Sequence, residues 1–397
     1  MNKVKLGQIL DVKRGASLSG EYYSEKGEKI RLTLGNFNYP GGGFKENTSK
    51  IDIFFNGEVK PEFILKKGDI ITPLTEQVAG LLGETARIPE DDLYIQSGDI
   101  GLVIPDESKL DRSFTYYLIS SPVVKKQLGA AAQQTKIRHT SPDKIKDCEV
   151  WIPELAQQKK IGKLLDSINS KIEVNNKINA ELEAMAKTLY DYWFLQFEFP
   201  NEEGKPYKSS GGKMVWNEEL KREIPEGWEV LKVSDITNVV TGKEDANFAV
   251  ENGAYKFFTC SQDILLCDEY SFEGSAVLIA GNGDFNVKHY TGKFNAYQRT
   301  YVLIPKEKEF YGCLYIAAKE KIDYFKAGAN GSIVKFITKG DVEQITMLKP
   351  RNDNLFDTIN KLIEQIEIIQ KENEELTSLR DFLLPLLMNG QVGFKEK

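Results

Sequence analysis

The residues of this chain whose types could do chemistry are amides, hydroxyls and cations in polar loops, not nucleophiles beside bases. In the first half, Thr72, Thr75, Glu76 and Gln77 follow Gly68-Asp69-Ile70-Ile71, and Thr135, Lys136 and Arg138 stand in a basic stretch. In the second half, Asn282, Asp284, Lys288 and His289 occupy the corresponding loop, with Arg299, Ser332 and Lys335 as the matching basic set. Asn and Gln can pair bidentately with adenine and Arg with guanine, while cations hold phosphate, so such a set suits reading a duplex. At each position an ordinary exposed loop side chain is the alternative.

Other chemistries are poorly supplied. The chain has two histidines and four cysteines, Cys148, Cys260, Cys267 and Cys313, with no CxxC pair. That spacing speaks against a zinc site and a disulfide framework. Cys260 and Cys267 read as ordinary buried thiols. His139 and His289 read as contact or structural residues, not metal ligands. Gly41-Gly42-Gly43 and Gly281-Asn282-Gly283-Asp284 lack the strand and helix context of a phosphate cradle and read as turns. Methyltransferase tetrapeptides such as NPPF or DPPY, a Walker A loop and a nuclease carboxylate-x-Lys set are missing. The expectation is a non-enzyme with no cofactor and no metal of its own.

The net charge of −7, taken as a total, opposes a nucleic-acid partner. Affinity depends on the face presented, however, and the charge is uneven. Residues 125–146 hold six basic residues against the single acid Asp143. In residues 275–303, Asp284 alone faces Lys288, Lys293 and Arg299, and residues 325–340 carry Lys326, Lys335 and Lys339 with no acid. Solvated basic faces are the plainer reading of any one run, but these fall at matching places in a repeat.

The elements that must position these residues are themselves repeated. Lys5-Leu6-Gly7-Gln8-Ile9 through Gly15 matches Lys232-Val233-Ser234-Asp235-Ile236 through Gly242, residues 94–105 match 294–305, and residues 143–153 match 341–350. Offsets that shrink toward the end of each copy place the insertions in the early loops of otherwise similar scaffolds. Short β-branched and aromatic runs such as Gly101-Leu102-Val103-Ile104 and Tyr301-Val302-Leu303-Ile304 predict strands, and the spacing predicts short helices over 113–128 and 310–326.

After Pro153 the period changes. Ile161, Leu165, Ile168, Ile172, Asn175, Asn179, Leu182, Ala186, Leu189 and Trp193 form a seam that alternates four and three, and Ile359, Ile363, Ile366, Asn373, Leu376 and Leu383 form another, an offset of 198 mapping Ile161, Leu165, Ile168, Asn175 and Ile178 onto its first five. Two copies of one long helix are expected to pair, antiparallel if a local two-fold axis relates them, with the Asn positions near that axis fixing register. The alternative has both Asn side chains in solvent beside the seam. A helix over 157–195 would span about 58 Å, or about 17 base pairs, and would act as a ruler between two readers. Tyr190, Tyr192, Trp193 and Phe194 at its end offer either core packing or a docking surface, and residues 382–388, interrupted by Pro385, end the second helix with the same choice.

The junction residues Ile152-Pro153-Glu154-Leu155-Ala156-Gln157-Gln158-Lys159-Lys160-Ile161, Leu189-Tyr190-Asp191-Tyr192-Trp193-Phe194 and Ile224-Pro225-Glu226-Gly227-Trp228 carry a family resemblance. So does the ending Leu379-Arg380-Asp381-Phe382-Leu383-Leu384-Pro385. Together they resemble the specificity subunits of type I restriction-modification systems. The resemblance implies an α+β chain of two similar strand-rich target-recognition domains, each followed by a long α-helix. The helices would pair as an antiparallel coiled coil with pseudo-two-fold symmetry.

The segments would be 1–153 (first recognition domain), 154–199 (first helix), 200–350 (linker and second recognition domain) and 351–397 (second helix). The resemblance also implies a bipartite double-stranded DNA target and two modification subunits docked on the helical regions, Phe194 and the seam residues among their candidate contacts. Two restriction subunits would complete the assembly. S-adenosylmethionine, ATP and Mg would belong to those partners. A start without an apolar core, and no apolar run near the roughly 20 residues of a membrane span, make the cytoplasm the expected compartment. A stand-alone nuclease and a protein-only coiled-coil adaptor are the competing readings.

Overall fold

The same antiparallel pair pins the ends of each strand-rich copy. In the computed structural model, which describes residues 2–39, 41–76, 80–131, 138–283, 285–328, 336–351 and 354–394, Asn2–Lys5 pairs with Glu149–Ile152, Lys5 opposite Glu149. Glu229–Lys232 pairs with Thr346–Lys349 in the same way, Lys232 opposite Thr346. The amide of Leu6 then donates to the Cys148 carbonyl and that of Val233 to the Ile345 carbonyl, each at 2.9 Å. Both are apolar residues with no exposed surface, so one turn after each first strand is drawn into its core.

Inside each copy a central strand carries two neighbours. Ile100–Pro105 lies between Leu10–Arg14 and Ile70–Pro73, with Ala86–Arg87 on the far edge. Thr300–Leu303 lies between Val240–Thr241 and Phe272–Ala280. The aligned glycines explain themselves here. A Cβ on Gly15 would come within 2.3 Å of the Ser97 carbonyl oxygen, and one on Gly242 within 1.8 Å of that of Ala296. Each edge strand leaves the sheet against backbone, where only glycine fits.

The copies differ between these shared strands. The first inserts a separate sheet of four two-residue strands, ordered Tyr23–Ser24, Phe54–Phe55, Ile30–Arg31 and Tyr94–Ile95. The second continues one sheet to six strands through the long hairpin of Phe272–Ala280 with Val287–Ala296. The helix expected over 113–128 is two helices, Arg112–Ile119 and Pro122–Ala131. Pro122 has no N–H to continue the first and suits the opening turn of the second. Its counterpart, Tyr311–Gly328, is unbroken.

Two long helices follow, Leu155–Tyr190 of 36 residues and Asn354–Met388 of 35. The first is about 54 Å long at about 1.5 Å per residue and passes into a π-helical turn, Asp191–Leu195. The second helix runs on through Pro385 and ends at Met388. The chain divides into two compact units, residues 1–173 with 374–397, and residues 174–373, so each unit takes part of both long helices.

In the first unit, Ile161 and Leu165 share a core with Leu387 and Met388, against which Leu383 packs. In the second, Ala186, Tyr190, Trp193 and Phe194 share one with Ile359, Ile363 and Ile366, with Leu182 and Leu189 at its margin. Ile168 is buried and Leu376 half-buried. Tyr190, Trp193 and Phe194 are therefore core residues; Phe194 stacks on Phe356 with ring centroids 5.7 Å apart. Tyr192 stays exposed. No helix among the described residues is long and apolar enough to cross a membrane.

Candidate nucleic-acid interface

The first candidate edge is a two-stranded ribbon at the end of the 70–73 strand. Thr75–Glu76 pairs with Arg138–His139, Arg138 opposite Glu76 and His139 opposite Thr75. One step inward, Thr140 N donates to the Leu74 carbonyl at 2.9 Å. The Glu76 carboxylate, 2% exposed, holds the edge together. It accepts from the amides of Gly80 (3.1 Å) and Leu82 (2.9 Å), and Arg138 Nη1 lies 3.4 Å away. A buried carboxylate with two amide donors and a guanidinium is a satisfied group.

Several expected base contacts are therefore scaffold. Thr72 is fully buried in its strand, and its hydroxyl finds no partner among the described residues. The Thr75 hydroxyl is spent on Asp99 Oδ1 at 2.7 Å, and Glu76 is committed as above. Neighbouring chain covers all three. Arg138 remains half-exposed and His139 exposed. Gln77, Thr135 and Lys136 lie outside the described residues. Sequence reasoning overlooked Arg14, an exposed cation whose guanidinium donates to the carbonyls of Gly98 (2.9 Å) and Thr140 (3.4 Å), so that it braces the base of the ribbon.

The second copy repeats this edge. Asn282 forms an antiparallel bridge with Phe336, and Ile337 N donates to the Gly281 carbonyl at 2.8 Å. Thr75 thus corresponds to Asn282, and His139 to Phe336. Asn282 is half-buried, Arg299 is exposed, and Gly281 N donates to the Arg299 carbonyl at 2.9 Å. Asp284, Ser332 and Lys335 lie outside the described residues. Lys288 and His289 are corrected: they belong to the Val287–Ala296 strand, not to the loop. Lys288 Nζ donates to Asn286 Oδ1 at 2.6 Å, and His289 Nδ1 meets Glu367 Oε1 at 3.0 Å with its ring on Tyr315. The His289 side chain is 6% exposed, so it serves packing. Cys260 is only half-buried, its thiol 3.3 Å from the Arg299 carbonyl, whereas Cys267 is buried.

Each recognition copy is also fastened to helix residues of its own unit by polar groups that no periodicity announced. In the first unit Tyr117 donates to Asp166 Oδ1 (2.8 Å) and accepts from Asn169, while Arg87 pairs with Asp166 at 2.8 Å. Arg380 donates to Asn169 Oδ1 and to the Gly41 carbonyl. Burial, then the Asp166 carboxylate, pushes the Tyr117 hydroxyl well above its ordinary pKa, so it stays a donor. Burial also raises the Glu84 carboxyl, despite its Lys125 partner.

In the second unit Tyr311 and His289 meet Glu367, while Tyr315 and Lys319 meet Glu183, both at 2.6 Å. Burial opposes ionisation of these two carboxylates. For Glu367 the bonds from His289 and Tyr311, and for Glu183 those from Lys319 and Tyr315, outweigh it and hold both carboxyls below their ordinary range. Also in this unit, Asn175, 1% exposed, donates from its amide to Glu372 Oε2 (2.7 Å) and Asn373 Oδ1 (2.8 Å). Among the described residues no group of three or more His, Cys, Asp or Glu could hold a metal ion.

Residues 1–184 and 225–378 match the family described as type I restriction modification DNA specificity domain. The chain is 35% identical over 178 residues to the EcoDI specificity subunit of Escherichia coli, a match covering 43% of this chain and 39% of that protein, less than half its length. It is 25% identical over 324 residues to the MjaIX specificity subunit of Methanocaldococcus jannaschii, covering 74% of this chain and 72% of that one. Among solved structures, the S subunit of a type I restriction-modification system from M. genitalium superposes with a TM-score of 0.59 at 18% identity, over 98% of this chain and 96% of that one, a likeness of fold.

Proposed function

Because the chain belongs to the type I restriction modification DNA specificity family, whose subunits read DNA and carry no catalysis of their own, we propose that it binds a bipartite duplex with one recognition domain per half-site. The observation that carries this reading is the recurrence of one edge in both copies: the Thr75–Glu76 ribbon with Arg138–His139, and the Asn282 bridge to Phe336. A two-stranded ribbon fits the major groove, where base edges are distinguishable. Arg14, Arg138 and Arg299 are accessible cations at these edges. Gln77, Thr135, Lys136, Asp284, Ser332 and Lys335 complete the proposed contact set.

The segments 1–153 and 200–350 would read, and 154–199 and 351–397 would hold the readers apart. Antiparallel pairing of the long helices is supported by the bonds of Asn175 to Glu372 and Asn373. It is also supported by cores that join early residues of one helix to late residues of the other. A rod of about 54 Å corresponds to roughly 16 base pairs of unread spacer at about 3.4 Å per step. Two modification and two restriction subunits would complete the complex, bringing S-adenosylmethionine, ATP and Mg. The exposed Tyr192 and Phe382 are candidate docking points.

The test is selection from a randomised duplex pool by the chain with its modification subunits. The expected product is two fixed blocks with a gap. Inserting two helical turns at matched points of both helices should lengthen the gap and keep the blocks; altered blocks would refute the ruler.

A further inference from the structure

One exposed ring of the second recognition copy stands at the candidate edge itself. Phe336 is 60% exposed, although its backbone is held by the bridge to Asn282 and the bond from Ile337 N to the Gly281 carbonyl. Its neighbour Ile337 is 3% exposed, and Tyr301 donates its hydroxyl to the Ile337 carbonyl at 2.9 Å, so the ring is presented by a rigid segment. An apolar ring left in water at an ordered edge is unfavourable unless something covers it. The structurally equivalent residue of the first copy is His139, also exposed and also fixed, opposite Thr75. The two copies therefore hold a ring at one register position while the insertions around it differ. Arg299 near Gly281 and the half-exposed Arg138 beside His139, although it pairs with Glu76, place a guanidinium at each edge, which fits a polyanion and not an apolar protein face.

We propose that this position is a specificity position in both half-sites, Phe336 packing on the 5-methyl group of a thymine and His139 hydrogen-bonding a purine edge. The inference rests on the DNA-reading function above. A phenyl ring has no donor or acceptor for a base edge, so in the major groove its one selective contact is the thymine methyl. Imidazole can donate to or accept from a purine there. Phe336 and His139 should therefore govern different half-sites by different chemistry.

The experiment uses the chain with its modification subunits and a pool of randomised duplexes, followed by binding to the selected duplex with each thymine replaced in turn by deoxyuridine. Wild type should enrich two blocks, and one deoxyuridine in a single block should weaken binding about fourfold, the loss expected for one buried methyl. Phe336→Ala should lose discrimination at that base pair, bind the thymine and deoxyuridine duplexes equally, and melt like wild type. His139→Ala should relax the other block and keep the deoxyuridine effect. If wild type enriches no motif, the DNA-reading function fails and this inference with it. If wild type enriches two blocks and Phe336→Ala keeps the thymine preference or weakens both blocks equally, only this inference is overturned.

Discussion

The two strand-rich domains share their closing hydrogen bonds and differ in what those bonds enclose. Lys5 opposite Glu149 and Lys232 opposite Thr346, then Gly15 and Gly242 against backbone, are the same events 227 residues apart at the front of each copy. Between them one domain carries a second small sheet and the other a long hairpin. The contrast shows that close backbone approach, which admits one residue type, restricts the scaffold, while loops that contact only solvent or ligand are unrestricted. Fastening to the helices differs as well. The first domain uses Tyr117 and Arg87 on Asp166 and Asn169 and the Gly41 carbonyl on Arg380, the second Tyr311, Tyr315, His289 and Lys319 on Glu367 and Glu183.

The largest effect is expected from Gly15→Ala and Gly242→Ala. Each new methyl meets a carbonyl that cannot move away cheaply, at about 3 kcal/mol, and each variant should loosen its own domain in amide-exchange mass spectrometry. If only one of the pair does so, the scaffolds are not equivalent. Glu76→Ala comes next. It strands the Leu82 and Gly80 amides at about 2 kcal/mol, and duplex selection should show the first block degraded and the second intact.

Asn175→Ala removes the amide that holds Glu372 and Asn373, and denaturant unfolding should register about 1 kcal/mol, with both blocks unchanged. Smallest is a difference in pH response. Glu183 and Glu367 are held low, so their contribution is present above the unfolded value of about 4.3 and lost as pH falls through their lower folded values. Glu84 is raised, so its contribution is full below about 4.3 and lost as pH rises through its folded value. Between pH 3 and 6, amide-exchange protection around Glu183 and Glu367 should therefore rise with pH while that around Glu84 falls; equal responses would remove the distinction.

The repeat, the helix seam and the aligned glycines were legible because each is a spacing along the chain. The buried Ile161, Leu165, Ile359 and Ile363 follow from heptad position alone. The candidate contacts were legible only as loop neighbourhoods. Thr72, Thr75 and Glu76 have the right chemistry but face inward, and Lys288 and His289 sit on a strand. Chemistry at a loop says nothing of which way a side chain points until the partner strand, some 60 residues away, is in place. The break at Pro122 was readable from its missing N–H and was overlooked. The partners of Glu183 and Glu367 carry no local signal.

What the sequence by itself determined is the order of parts, because hydrophobic period and glycine placement act between near neighbours and recur with the copy. Tertiary structure decided which polar groups are spent inside and which remain for a ligand, since a hydrogen bond or burial depends on a partner far along the chain. Thr75 became scaffold because Asp99 reached it, and Phe336 and His139 stay exposed because no described residue covers them.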